Sequence, residues 1–156
     1  MKKIIIALAM LGMSIQAATA QEVYKEVLRI ATEAAENESN DMQVRLTNTF
    51  IYDALKYMAG KTAEVNPDAS VSVLDYQALA LYEFITDFVA RTTMATRADE
   101  RKIVLNRFYN ASLSNPRFND LDKQLVEAYI NEKYITQFSL DTDWEKALAE
   151  IRKVYK

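Results

Sequence analysis

The sequence predicts an all-α protein, a compact bundle of five or six mostly antiparallel helices behind a cleaved signal peptide. Three observations point there. Glycine and proline number only 2 each in 156 residues, and Gly60 is the one glycine beyond the first twenty residues. Sheet proteins need positive-φ residues at many hairpins, and this chain does not supply them. Ala, Leu, Glu, Lys, Arg and Met, which lose little on entering a helix, are plentiful. Apolar residues also recur at helical spacing along nearly the whole chain.

The chain opens MKKIIIALAMLGMSIQAATAQ. Lys2 and Lys3 form a positive start, and Ile4 to Met13 an apolar stretch too short to remain in a bilayer as a spanning helix. Ala18-Thr19-Ala20 places small residues where a signal peptidase reads, so residues 1–20 are expected to be a secretory signal cut between Ala20 and Gln21. There is no Cys for a lipoprotein anchor. The mature chain, residues 21–156, is expected to be a single helical domain, periplasmic or secreted, with no integral membrane segment. A chain of this size buries about two thirds of its unfolded surface and needs neither metal nor disulfide to fold. The signal segment and composition resemble those of small exported helical proteins of diderm bacteria, a generic likeness that implies no site residues.

Val23, Val27, Ile30, Ala31 and Ala34 share one face of a first helix, opposite Lys25, Arg29, Glu33 and Glu36. NESND (37–41) breaks that pattern and offers Asn or Asp caps. Leu46, Phe50, Ala54, Tyr57 and Met58 mark a second helix, which Gly60 is placed to end. A polar link, 61–70, holds Pro67. Ser72 and Asp75 form a possible capping box for a third helix. Its stripe, Leu74, Ala78, Leu81, Tyr82, Ile85, Phe88 and Val89, is the bulkiest in the chain and belongs at the centre of the core. A fourth helix is expected from Ala98 to Ser112, then a loop over 114–120, because Pro116 disfavours a helical Asn115. Leu121, Leu125, Ala128 and Tyr129 open a fifth helix, and Trp144, Leu148, Ile151 and Tyr155 stripe a sixth.

The stretch DTDWEKALAEI, from Asp141, spaces three acids at alternate positions. A calcium loop would need Gly at its sixth position, where Lys146 stands. Thr142 and Glu145, three apart before an apolar stripe, read instead as a capping box, with Asp143 in the first helical turn.

Histidine and cysteine are absent. That removes the commonest base near neutral pH, thiol nucleophiles and the usual zinc ligands. One glycine after the signal leaves no phosphate-binding glycine loop. No catalytic residue, metal ligand or cofactor is therefore assigned. Removing Lys2 and Lys3 leaves 17 basic residues against 22 acids, a charge of −5, without the basic footprint of a nucleic-acid binder.

A few groups stand out. Glu132 falls on the apolar arc of the fifth helix, where burial would raise its carboxyl pKa. Glu83 and Asp87 lie one turn apart, with Arg91 one turn on to neutralise them. Residues 91–107 carry five basic side chains against two acids, a local +3 suited to an anionic surface or to a solvated face. Tyr52 falls between Arg45 and Lys56 on the polar face of the second helix, the composition of an interface contact. The expected function is accordingly that of an exported helical binding protein, engaging a protein partner or itself through Tyr52, Arg45 and Lys56. A carboxylate-dependent hydrolase of cell-envelope sugar or peptide, and an apolar ligand carrier with a cavity beside the third helix, are the alternatives.

Overall fold

The computed structural model describes residues 23–69, 71–122 and 138–156. Five α-helices run through them: α1 Val23–Glu36, α2 Met42–Val65, α3 Val71–Met94, α4 Ala98–Leu113 and α5 Trp144–Val154. No strand occurs among the described residues; the one β-bridge joins Pro116 to Thr142. The chain is all-α, as its residue spacing requires.

α3 touches each of the other four helices. Its apolar stripe is buried as expected, from Ala78 through Leu81, Tyr82, Ile85, Phe88 and Val89. The same holds for Val23, Val27, Ile30 and Ala31 on α1, and for Phe50, Ala54 and Met58 on α2. Aromatic rings fill the centre. Phe84 meets Phe108, Phe138 and Trp144 edge-on at centroid distances of 5.0, 5.3 and 5.5 Å. Phe50 and Phe88 close the cluster against Phe138 at 5.8 and 5.0 Å. Edge-to-face pairs in this range contribute about 0.5–1.5 kcal/mol beyond the area they bury.

Side-chain contacts set the helix directions. Arg45, early in α2, donates through Nε to the carbonyl of Ala35 at the end of α1, so these helices are antiparallel. Tyr24 at the start of α1 donates its amide to Asp75 at the start of α3 at 2.8 Å, so α1 and α3 run in the same sense. Gln77 meets Trp144, and Glu83 meets Arg152, so α3 and α5 are also parallel. Neighbours in sequence are antiparallel across short links. α5 runs in the direction of α3.

Three local expectations change. Gly60 does not end α2, which continues to Val65 and is capped by Asn66, whose amide donates to the Thr62 carbonyl at 2.9 Å. A Cβ at Gly60 would meet nothing within 4 Å, so the glycine costs α2 only its propensity, roughly 1 kcal/mol. The N-cap of α5 is Asp143, which accepts from the Lys146 amide, and Thr142 lies outside the helix with its hydroxyl turned inward. Leu121 is 93% exposed and not helical; the rest of the expected fifth helix, with Leu125, Ala128, Tyr129 and Glu132, lies outside the described residues, as does the signal segment.

Candidate functional site

The acids of the Asp141 stretch are structural. Asp141 is buried and accepts the backbone amides of Phe118 at 2.7 Å and Asp120 at 3.0 Å. Asn119 between them sits at φ 51°, a left-handed conformation that Asn tolerates and that lets the amides on either side face one carboxylate. Asp143 binds Lys146 at 3.2 Å and Arg117 at 3.5 Å, and receives a hydrogen bond from Gln77 at 2.9 Å. Burial works to raise its carboxyl, but Gln77, Lys146 and Arg117 hold it below the usual carboxylate range. Ser112 and Thr142 add a buried hydroxyl pair at 2.9 Å. Together these bonds fasten the loop after α4 to the start of α5.

Next to this clasp, Asp120 accepts the Tyr57 hydroxyl at 2.6 Å and Lys61 at 3.1 Å. The Tyr57 hydrogen bond, the Asp122 amide and Lys61 lower its carboxyl to about 2. Tyr57 is pushed well up, first by burial and then by its bond to Asp120. A carboxyl held this low is an anion at every physiological pH, the reverse of a proton donor tuned toward neutrality.

The polar face expected on α2 is partly covered by α1. Tyr52 is half-buried and packs against the core, close enough to Tyr24 to raise that phenol, although burial is the larger cause. Arg45 is spent on the Ala35 carbonyl, and Lys56 is exposed. No hydrogen bond, ion pair or ring contact among the described residues joins the three into one site.

The expected Glu83–Arg91 neutralisation does not form. Glu83 pairs across to Arg152 on α5 at 2.6 Å, and Arg91 turns to the ring of Tyr155 instead. The pair Glu83–Arg152 spans an open groove of about 470 Å³ between α3 and α5. Leu79, Ala80, Leu148 and Ala149 form its apolar floor, and Tyr76, 58% exposed, stands at its edge. Glu145 lies toward one end, and Lys153 and Lys156 toward the other. This surface is not among the sequence-based expectations, yet the sequence carries a signal for it. Positions 76, 79, 80 and 83 share a face of α3, and 145, 148, 149, 152 and 156 share one on α5. The core stripes on the same two helices are bulkier and mask this second periodicity.

Two acids, Glu83 and Glu145, line this groove, but both are engaged: Glu83 by Arg152, and Glu145 by Gln77 Nε2 at 2.9 Å. Among the described residues no group of three or more acids is placed to hold a metal. Among the described residues the centre of the bundle beside α3 is filled by the rings of Phe84, Phe88, Phe108, Phe138 and Trp144, all fully buried. No described helix is long and apolar enough to cross a membrane. No family model, no curated protein and no solved structure matches the chain.

Proposed function

We propose that this is an exported helical protein that acts by contact rather than catalysis, and that the α3–α5 groove is its contact surface. Its occupant is an amphipathic helix of a partner protein, laid along the groove. Acidic residues of that helix face Lys153 and Lys156, and a basic residue faces Glu145. The observation that carries this reading is an apolar floor left uncovered by the described residues, between charges of opposite sign at its two ends. Apolar burial supplies affinity in such grooves, and rim charges set register and direction. Ala80 and Ala149 leave the floor low enough for a second helix to approach closely.

Export rests on Lys2, Lys3, the apolar stretch Ile4–Met13 and Ala18-Thr19-Ala20. The protein recovered from the cell envelope or medium is expected to begin at Gln21. Intact-mass measurement showing Met1 still attached would contradict export.

Ala149→Glu tests the groove, because Ala149 is exposed and its replacement spares the core. Cross-linking in the envelope fraction should join a partner to the wild-type chain and lose it in Ala149→Glu. An adduct that survives the substitution places the contact elsewhere. A dimer that dissociates on the substitution would make the occupant α5 of a second copy, whose own acid-to-base polarity fits an antiparallel pairing.

A further inference from the structure

Most arginines among the described residues have an oxygen to bind. Arg29 lies between Glu26 and Glu33, Arg97 pairs with Asp99, Arg117 with Asp143 and Arg152 with Glu83. Arg45 and Arg101 donate to the carbonyls of Ala35 and Ala95. Arg91 and Arg107 form neither kind of contact among the described residues. Both turn instead to the ring of Tyr155, with guanidinium carbons 3.6 and 5.2 Å from its centroid.

Three elements build this arrangement. Arg91 comes from the last turn of α3, Arg107 from α4, and Tyr155 from the C-cap of α5. A ring attracts a cation through its quadrupole but carries no net charge, so neither formal positive charge meets a counter-charge among the described residues. Asp87 lies one turn back along α3, yet no ion pair joins it to Arg91. Arg91 Nε is also buried and has no hydrogen-bond partner among the described residues, a costly state for a charged donor. The Tyr155 hydroxyl is likewise buried and unpartnered there.

We infer that Arg91 and Arg107 form a binding site for a phosphate group, with the Tyr155 ring as the platform that both guanidiniums approach. A carboxylate is satisfied by one bidentate fork, whereas two forks arriving from different helices call for the several acceptor oxygens of a tetrahedral anion. Within the positively charged stretch 91–107, Arg97 is paired with Asp99 and Arg101 donates to the Ala95 carbonyl. Arg91 and Arg107 are thus the two arginines there without an oxygen partner among the described residues, and exposed Lys102 adds to the positive charge of the same stretch. A free phosphate and the phosphate of a lipid headgroup share the required chemistry.

The test is calorimetric titration of the purified chain with inorganic phosphate, beside flotation with phosphatidylglycerol-containing vesicles and with phosphatidylcholine vesicles as control. Arg107→Gln is the informative variant, because Arg107 is exposed and its loss leaves the core intact; an unchanged melting temperature verifies that. Arg29→Gln, which removes the same charge from α1, is the control. Arg107→Gln should weaken binding by about tenfold or more, the loss expected for one charge-assisted contact, and Arg29→Gln should leave it unchanged. Binding of phosphate alone identifies a free anion, and binding of anionic vesicles identifies a headgroup; both uphold the site. Equal weakening by the two variants, equal binding to both vesicle types without phosphate binding, or no binding to any probe, overturns it.

Discussion

Asp75 and Gln77 stand two residues apart on α3 and serve the N-termini of two different helices. Asp75, 3% exposed, accepts the Tyr24 amide of α1. Gln77, fully buried, accepts the Trp144 amide of α5 at 2.8 Å and donates to both Asp143 and Glu145. The partners settle which end of the Gln77 amide is which, because carboxylates only accept and an N–H only donates. Both contacts exist because α1, α3 and α5 run in the same sense, which gathers their starts, and their unsatisfied amides, at one end of the bundle. The difference lies in completeness. Gln77 brings donors and an acceptor and uses both; Asp75 can only accept, and its Oδ2 is buried without a partner among the described residues. A neutral two-way side chain closes a buried network that a carboxylate leaves half open.

The largest expected effect follows from breaking the complete network. Gln77→Leu keeps the volume but strands the Trp144 amide and leaves Asp143 and Glu145 without their shared donor, at a cost of about 3 kcal/mol. Urea unfolding followed by Trp144 fluorescence would measure it as a lower midpoint at unchanged slope. Gln77→Glu should be no milder, since it sets a third carboxylate beside two others. Asp75→Ala, on the α1 side, should cost about 1–2 kcal/mol, the value of a lost helix-terminal acceptor. A larger loss there than for Gln77→Leu would reverse the comparison. Asp75→Asn keeps an acceptor oxygen and should cost only a few tenths of a kcal/mol.

Acid sharpens the contrast further, with the smallest effect per group. Asp143 and Asp120, both on the α5 side, have folded-state carboxyls below their usual value, Asp120 at about 2. A depressed carboxyl contributes stability above its ordinary pKa of about 4 and loses it as pH falls through the folded value. The melting temperature should therefore decline between about pH 4 and pH 2. Tyr57→Phe, which removes the leading cause of the Asp120 shift, should flatten that decline. An unchanged slope in Tyr57→Phe would place the acid sensitivity elsewhere.

The helices were legible because an apolar stripe and an absence of chain breakers are properties of the local sequence. Where expectation failed, a tertiary contact outbid a local rule. Gly60 looks like a stop, but α2 is held on both sides of it by buried Met58 and by Lys61, which bonds Glu64 and Asp120. Thr142 and Asp143 are both competent caps; Ser112 and Ser139 draw the Thr142 hydroxyl inward and leave the role to Asp143. Arg91 has acids one and two turns back on its own helix, but stacking on Tyr155 takes it away from them. Gln77 resembles any polar residue on a helix until α5 is set beside it.

Sequence alone therefore determined that this chain is helical and which faces of α1, α2, α3 and α5 turn inward, since helix propensity and apolar periodicity act over one or two turns. Only the tertiary structure decided which polar groups meet: Gln77 with Trp144, Glu83 with Arg152, Arg91 and Arg107 with Tyr155. Those pairs are separated by dozens of residues, and hydrogen bonds and ion pairs act over a few ångströms. Their partners are set by how the helices dock, and no local pattern encodes that.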